Sequence, residues 1–351
     1  MRKIGERAAV LLLALFCMIV LGCARGRGKQ SPAPSPAGTP GAEENTDQME
    51  YQTEQPSPTG EKPPLPEALD AEEGQEPSLT VYIVDEGTTK EMKFEEYVAG
   101  VVGGEIMNDW PEEVLKAQAI IARTFVLQFI DEKGGSRYED AHVSTDIEEA
   151  QAWDQDSVNE AIQKAVEDTR GQAMVYDGAF IRAWFHSNAG GKTATAEEGL
   201  NFKDGNPPYI ESVDSPDEQA PIPEDEWNWT EVFGLDEVRK AASGMGKDVA
   251  EFKEVAIGEK GPSGRAMTIR FDDVDVSAPE LRLALGSERM KSTLLEGISL
   301  EDNQVVMKGR GYGHGVGMSQ WGGYAMAQEG KSAEDIINAY FKDVQIVNMW
   351  E

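Results

Sequence analysis

Residues 309–317 read Gly-Arg-Gly-Tyr-Gly-His-Gly-Val-Gly and run on into Met318-Ser319-Gln320-Trp321-Gly322. Five glycines at alternate positions constrain the chain more than any other stretch of it. In an extended segment successive side chains point to opposite faces, so one face here is bare backbone while the other carries Arg310, Tyr312, His314 and Val316. A bare face lets another backbone or a ligand come close. Ordering so many glycines costs conformational entropy, which some contact must offset. Without that contact the segment is only a glycine-rich turn or a bulged strand.

Nucleotide binding is excluded by spacing. The dinucleotide fingerprint needs G-x-G-x-x-G, and from Gly309, Gly311, Gly313 and Gly315 its last position holds His314, Val316, Met318 and Gln320. No G-K-S/T follows, so the phosphate-binding P-loop fails as well.

The N-terminus reads as a secretion signal over residues 1–23. Arg2, Lys3 and Arg7 precede an apolar run over 8–21, too short for a comfortable membrane span. It ends in Val20-Leu21-Gly22-Cys23, which resembles a bacterial lipobox and makes Cys23 the expected lipidated residue. The alternative is an uncleaved anchor. Either way the rest of the chain is expected outside the cytoplasm, and the lipobox reading makes it lipid-anchored to the outer face of the cell membrane. The second cysteine, Cys17, lies within the signal, so the mature chain has no disulfide and no thiolate metal site.

Residues 24–78 are rich in Pro, Ser, Gly, Gln and Glu with few large aliphatics, and read as a disordered tether reaching about 40 Å as a coil. Residues 79–351 have the length of one large domain or of two closely packed lobes. Of the net charge of −32, the signal carries +2 and the tether −7, which leaves −27 on the folded part. So acidic a surface argues against nucleic acid and anionic lipid as partners through general electrostatics. It also means that no Glu or Asp is notable by presence alone.

Within 79–351 the patterning predicts an opening strand over 79–84. A helix starts near Asp109, with Asp109 and Glu112 as cap and Pro111 in the first turn, and ends near 131 before Gly134-Gly135. Leu115, Ala119, Ala122, Val126 and Phe129 form its apolar stripe. Lys116 and Arg123 share another stripe, either solvated or lining a cleft beside Glu105. A second helix is expected over 156–168, and a hairpin over 173–185 turning at Asp177-Gly178. Short helical pieces are expected over 231–243 and 249–252, strands over 255–257, 266–271 and 305–307. Two capped helices follow, over 320–328 after Ser319 and over 333–341 after Ser332, with Asp335 completing a capping box. Strands and helices mix without regular β-α-β alternation, so the fold class is α+β.

A zinc enzyme needs three protein ligands. The three histidines, His142, His186 and His314, lie far apart in sequence, and there is no H-E-x-x-H.

Several blocks together resemble a known family. Val101-Val102-Gly103-Gly104-Glu105, Trp110 to Ala119 and Ala122-Arg123-Thr124 resemble the first block of the SpoIID/LytB family; Phe185-His186-Ser187 with Gly190-Gly191-Lys192-Thr193 is similar to its middle block. Ser263-Gly264-Arg265, Leu281-Arg282 and Lys291-Ser292-Thr293 match further pieces, and Gly309 to Gly322 resembles the signature G-x-G-x-G-H-G-x-G-M-S-Q-W-G. The resemblance spans about residues 79–349 with the blocks in order.

It implies a peptidoglycan lytic transglycosylase acting in a glycan-binding cleft on strands that a partner wall amidase has stripped of stem peptides. The setting is sporulation, where other membrane sporulation proteins are partners, or cell-wall remodelling. The family's catalytic Glu falls on Glu105, whose neighbours Ile106, Met107 and Trp110 supply an apolar surround that raises a carboxyl pKa. One acid suffices when the sugar's own C6 hydroxyl is the nucleophile, whereas a hydrolase needs a second carboxylate. Lys116 and Arg123 are expected to orient substrate or bias Glu105; His186, Ser187, Tyr312, His314 and Gln320 are expected to line the sugar site. The plainer alternative for His186 and His314 is hydrogen bonding that fixes loops. Some members bind zinc through a His and two Cys after the first helix. Here His142 remains, but Thr145 and Ala150 stand at the cysteine positions and Ala189 stands where some relatives carry Cys. No cofactor or metal is therefore expected, and packing alone is expected to hold that segment. The rival to the enzyme is a non-catalytic peptidoglycan-binding activator of an amidase.

Overall fold

The computed structural model describes residues 61–72 and 74–351. The signal over 1–23 with Cys23, and the tether as far as residue 60, lie outside the described residues. The described residues between 61 and 77, assigned to the tether by composition, include several that lie against the folded part. Pro63, Pro66 and Leu69 are buried, Lys62 Nζ donates to Met349 O at 3.0 Å, and Gly74 pairs with Trp350. Proline makes a stretch look unstructured by composition, but a rigid proline segment can bury its rings without donating hydrogen bonds.

In chain order, β1 (Ser78–Ile83) and β2 (Thr88–Lys93) form a hairpin leading into α1 (Phe94–Glu105) and α2 (Glu112–Lys133), followed by β3 (Val143–Ser144) and α3 (Glu160–Asp168). Next come β4 (Gln172–Tyr176), β5 (Ala179–Phe180), β6 (Phe185–His186), α4 (Ala196–Leu200) and α5 (Glu224–Trp227). The middle stretch holds β7 (Asn228–Gly234), α6 (Leu235–Gly244), β8 (Val255–Ile257), β9 (Thr268–Phe271), β10 (Val274–Ser277), α7 (Ala278–Leu285), β11 (Leu295–Glu301) and β12 (Gln304–Arg310). The chain closes with β13 (Met318–Ser319), α8 (Gln320–Gln328), α9 (Ala333–Tyr340) and β14 (Gln345–Asn348). Small separate sheets mixed with helices make this an α+β fold, as the pattern predicts.

Two cores follow from this order. One is built around α2, whose residues from Val114 to Ile130 are almost all buried among α1, α3, β4, α8 and α9. The predicted stripe is present, but Ile120, Ile121, Leu127 and Ile130 are buried as well, so the helix is enclosed on all sides. The other core lies within residues 229–307, where Trp229, Phe233, Phe271, Leu281 and Met307 pack under the order β11-β12-β7 and its neighbouring sheet β10-β9-β8. Among the described residues no helix is long and apolar enough to cross a membrane.

Local expectations hold where a cap or turn dictates geometry. The β4–β5 turn has Asp177 at φ 50° and Gly178 at φ 74°, the left-handed pair a two-residue hairpin requires. Ser319 caps α8, and Ser332 with Asp335 forms the predicted capping box on α9. They fail where tertiary pairing intervenes. Helix α2 starts at Glu112 with Pro111 at the cap and no side-chain bond, because the turn from Met107 to Trp110 leaves Asp109 exposed. Residues 231–234 belong to strand β7: Trp229 and Phe233 fall on one face at strand spacing and enter the second core beside β12. Residues 249–252 form no helix, although Val249 and Phe252 are buried. The second hairpin strand stops at Phe180, because Phe185 and His186 pair in parallel with Met318 and Ser319.

Beyond Arg310 the glycine segment is not extended. Gly311, Gly313, Gly315 and Gly317 all have positive φ, from 71° to 114°, so side chains do not alternate faces as in a strand.

Candidate active site around Glu105

Glu105 ends α1, and glycine decides what covers it. A Cβ at Gly103 would lie 2.6 Å from Asp154 O, one at Gly104 would lie 2.7 Å from the carbonyl carbon of Ala152, and one at Gly100 would strike the Trp153 ring. These absent side chains let residues 152–154 lie directly on the helix, where Asp154 N donates to Gly100 O at 2.9 Å. The same loop aims Ala152 N at Glu105 Oε1, 2.6 Å away. The other oxygen, Oε2, is buried and takes no hydrogen bond from the protein; the residue is 4% exposed. Burial pushes the carboxyl pKa up to about 8, against the opposing effect of the Ala152 hydrogen bond. The raised pKa expected from the sequence therefore has a structural cause, and the burial is nearly complete.

Amide side chains tie the end of α1 to its neighbours. Gln320, the first residue of α8, donates from Nε2 to Glu105 O at 2.9 Å and to Gln118 Oε1 at 3.3 Å. Gln118 Nε2 and both side-chain polar atoms of Gln151 are buried without a protein partner. Unpaired buried groups are uncommon in folded proteins and mark places where another molecule has work to do. Beside them Trp110 packs against Trp321 at 4.4 Å and against Tyr324 at 5.1 Å between ring centroids. Sequence reasoning missed Gln118, Gln151, Trp321 and Tyr324 as site residues. Trp321 and Tyr324 had a signal, being one and four residues beyond Gln320 on the helix that the signature opens.

His186 and His314 meet inside the fold, their ring centroids 5.7 Å apart and each residue 4% exposed. His186 Nδ1 lies 3.2 Å from Val316 O, and His314 Nδ1 accepts from Val316 N at 3.0 Å. Burial first, then nearby Arg282 and Arg265, lowers the His314 pKa to about 3, and burial drives His186 well below its ordinary value. The left-handed glycines make this junction possible. A Cβ at Gly313 would lie 2.6 Å from that of His186, and one at Gly315 would lie 2.5 Å from the guanidinium of Arg265, which bonds Ala189 O and Lys192 O at 2.7 Å each. The two neutral histidines thus fix loops. His314, like His186, sits in the interior at this crossing. Ser187 is 2% exposed, and its carbonyl accepts from Trp321 N at 3.0 Å. Tyr312 is half-buried and exchanges backbone bonds with Asn188.

Lys116 and Arg123 do not join Glu105. Lys116 sits in an ion cluster with Glu112, Glu113 and Asp168, at 2.7 to 3.1 Å. Arg123 is fully buried. Its guanidinium grips Glu95, with Nη2 at 2.6 Å from Oε2, and donates to Gln172 O at 2.8 Å; Glu95 also accepts from Gly171 N and Trp350 Nε1. A side chain so enclosed supports the core and cannot orient a substrate directly, because every face of α2 at that height is covered.

The segment around His142 is held by more than packing. Buried Glu149 accepts hydrogen bonds from Ser136 Oγ, Arg137 N and Ser144 Oγ, and Tyr138 stacks on Tyr82 at 4.1 Å. His142 Nδ1 accepts from Thr80 N at 3.0 Å, so that nitrogen is engaged within the protein. Cavities of about 650 Å³, along residues 133–142, and about 430 Å³, along 338–343, both lie away from Glu105.

Parts of the chain are similar to known proteins. A family model described as stage II sporulation protein matches residues 84–176, and a model for a domain of unknown function matches 213–317, which contains the second core. An uncharacterized protein of Brachyspira hyodysenteriae is 33% identical, over 74% of this chain and 67% of its own. Stage II sporulation protein D of Bacillus subtilis is 29% identical, over 77% of this chain and 78% of its own. A protein of the same organism named amidase enhancer is 26% identical, over 69% of this chain and 39% of its own.

Proposed function

The chain belongs to the SpoIID family, and from that premise we propose that it is a sporulation-related, lipid-anchored cell-wall enzyme: a lytic transglycosylase that cuts peptidoglycan strands stripped of their stem peptides. The observation that carries this reading is the Glu105 carboxyl, buried, with its pKa near 8 and Oε2 free of protein donors. At neutral pH such a group is largely protonated and keeps one oxygen without a protein partner.

The chemistry needs only that acid. Glu105 gives its Oε2 proton to the glycosidic oxygen, whose bond to the anomeric carbon of the muramoyl unit breaks. The muramoyl C6 hydroxyl attacks that carbon, and its proton passes to the carboxylate. The products are a 1,6-anhydro end and a new free hydroxyl, and the acid is regenerated without water. Ala152 N on Oε1 holds the carboxyl in one orientation and stabilises the carboxylate's charge while the proton is away.

Burial at 4% exposure, together with the relative named amidase enhancer, favours a second reading: a glycan-binding activator whose Glu105 is structural. One experiment separates them. The purified protein is incubated with amidase-treated peptidoglycan and the products are read by mass spectrometry. Anhydro-muramic ends that disappear in Glu105→Gln are expected. Binding without cleavage by the wild type would refute the enzyme, and reducing ends would mean hydrolysis.

A further inference from the structure

An acid has to touch the glycosidic oxygen that it protonates, yet Glu105 is 4% exposed and its Oε2 is buried. A polymer strand cannot reach that oxygen while its cover stays in place. The cover is thin. Residues 151–154 have no regular secondary structure, and Ala152, Trp153 and Asp154 are each partly exposed, so solvent lies on their outer side and the end of α1 beneath them.

This cover is a crosspiece between two posts. On one side Glu149 N and Ala150 N donate to Asp146 O at 2.9 and 2.8 Å, and the Glu149 carboxylate is held by Ser136, Ser144 and the Arg137 amide. On the other, Asp154 N donates to Gly100 O at 2.9 Å, and Asp154 Oδ2 accepts from Ser157 Oγ at 2.6 Å. Asn108 Nδ2 fixes Ser157 O in turn, at 2.9 Å. Between the posts, among the described residues, a single hydrogen bond joins residues 151–153 to α1: Ala152 N to Glu105 Oε1, at 2.6 Å. The surface beneath is glycine, and Gly100, Gly103 and Gly104 offer no side chain that interlocks with the crosspiece. Its own polar groups are idle there. Both polar side-chain atoms of Gln151, a residue 3% exposed, and Trp153 Nε1 are buried without a protein partner. Leaving such groups unpaired costs free energy, which opposes the closed arrangement.

We propose that Gln151, Ala152 and Trp153 form a gate over Glu105, hinged at Glu149–Ala150 and at Asp154, which lifts to admit a glycan strand. Lifting breaks one hydrogen bond, exposes the Glu105 carboxyl and makes the idle Gln151 amide available to sugar hydroxyls. The firm posts return the segment to the same place afterwards. The inference rests on the glycan-cutting reading above, since a purely structural Glu105 needs no access, but its test reads binding and exchange alone.

The test uses the full chain carrying Glu105→Gln, which keeps an acceptor for Ala152 N and leaves strands uncut. Hydrogen exchange read by mass spectrometry should show the amides of residues 152 and 153 exchanging about tenfold faster once amidase-stripped glycan strands are bound, while those of α2 stay unchanged. Trp153→Ala, added to the same protein, removes the ring that lies on Gly100 and loosens the closed state. It should bind the strands about fivefold to tenfold more tightly by calorimetry, because a larger fraction of the protein is already open. A ring that merely supports the site gives the opposite, weaker binding. The exchange measurement needs no gate variant, so it decides the matter even where Trp153→Ala does not fold. Strand binding with unchanged exchange at 152 and 153, or weaker binding by folded Trp153→Ala, overturns the gate and leaves the transglycosylase reading standing. Faster exchange on binding, with no anhydro ends made by the wild type, defeats the transglycosylase and leaves the gate. No strand binding at all removes both.

Discussion

Gln320 Nε2 donates to the carbonyl oxygen of Glu105 at 2.9 Å across 215 residues of sequence, joining the start of α8 to the end of α1. The bond makes the glycine signature and the acidic residue one unit. Removing it with Gln320→Leu leaves a buried carbonyl unpaired, at about 1–3 kcal/mol. We expect a fall of several degrees in melting temperature by calorimetry and a loss of glycan cleavage larger than any loss of binding. Unchanged cleavage in a destabilised variant would make the bond purely structural.

The Glu105 carboxyl gives two pH signatures. As an acid, it must be protonated to act, so kcat/KM for glycan cleavage should fall above about pH 8 and be flat just below. For stability, a carboxyl raised from 4.5 to about 8 keeps its proton in the folded state over a window where the unfolded chain has lost it. Stability therefore falls as pH rises from about 4.5 to 8. Glu105→Gln should flatten that slope in urea titrations run at several pH values.

His314 has the opposite sign. Its pKa is depressed from 6.5 to about 3, so the unfolded chain binds the extra proton first. Stability is complete above about pH 6.5 and is lost progressively toward pH 3. His314→Asn, whose side-chain oxygen can still accept from Val316 N, should lower stability at pH 7 but weaken the acid-side slope. An undiminished slope would show that other groups dominate acid unfolding.

Arg123 and Glu95 are a buried pair, and breaking such a pair leaves one charge uncompensated. Arg123→Met should cost about 3–5 kcal/mol in urea unfolding. Arg123→Met with Glu95→Gln should recover part of that loss. Neither should alter the product spectrum of the folded fraction, because the pair lies away from Glu105.

Glycine substitutions separate close approach from mere φ. At Gly317, with φ 71°, an added Cβ would collide with Trp184 O, whereas at Gly330, with φ 83°, it would meet nothing within 4 Å. Gly330→Ala should cost about 1 kcal/mol from backbone strain alone. Gly317→Ala should cost several times more, read as the difference between the two melting temperatures.

Several elements that surround Glu105 were legible in the chain. Glu105 beside two glycines, the helix that follows Pro111 and the Ser319 and Ser332 caps are local features, and local chemistry fixes them. The α+β class followed from the mixed pattern of elements. The roles of Arg123, His186 and His314 were not legible, since a charged or titratable residue looks alike in sequence whether it faces solvent, substrate or the core. Only the burial of α2 against its neighbours and the crossing at Val316 turned them into internal supports.

The glycine signature divides the same way. Its sequence determined that the backbone could be approached closely and could leave the ordinary strand and helix regions, because glycine has no Cβ to forbid either. What approaches was a matter of tertiary structure: Asn188, His186, Arg265 and Trp184 fill the four places where side chains are missing. Those contacts come from segments more than a hundred residues away or from the second core, and no local preference specifies them. Periodicity and caps set the elements; the long-range packing of bare backbone decided which residues lie beside Glu105.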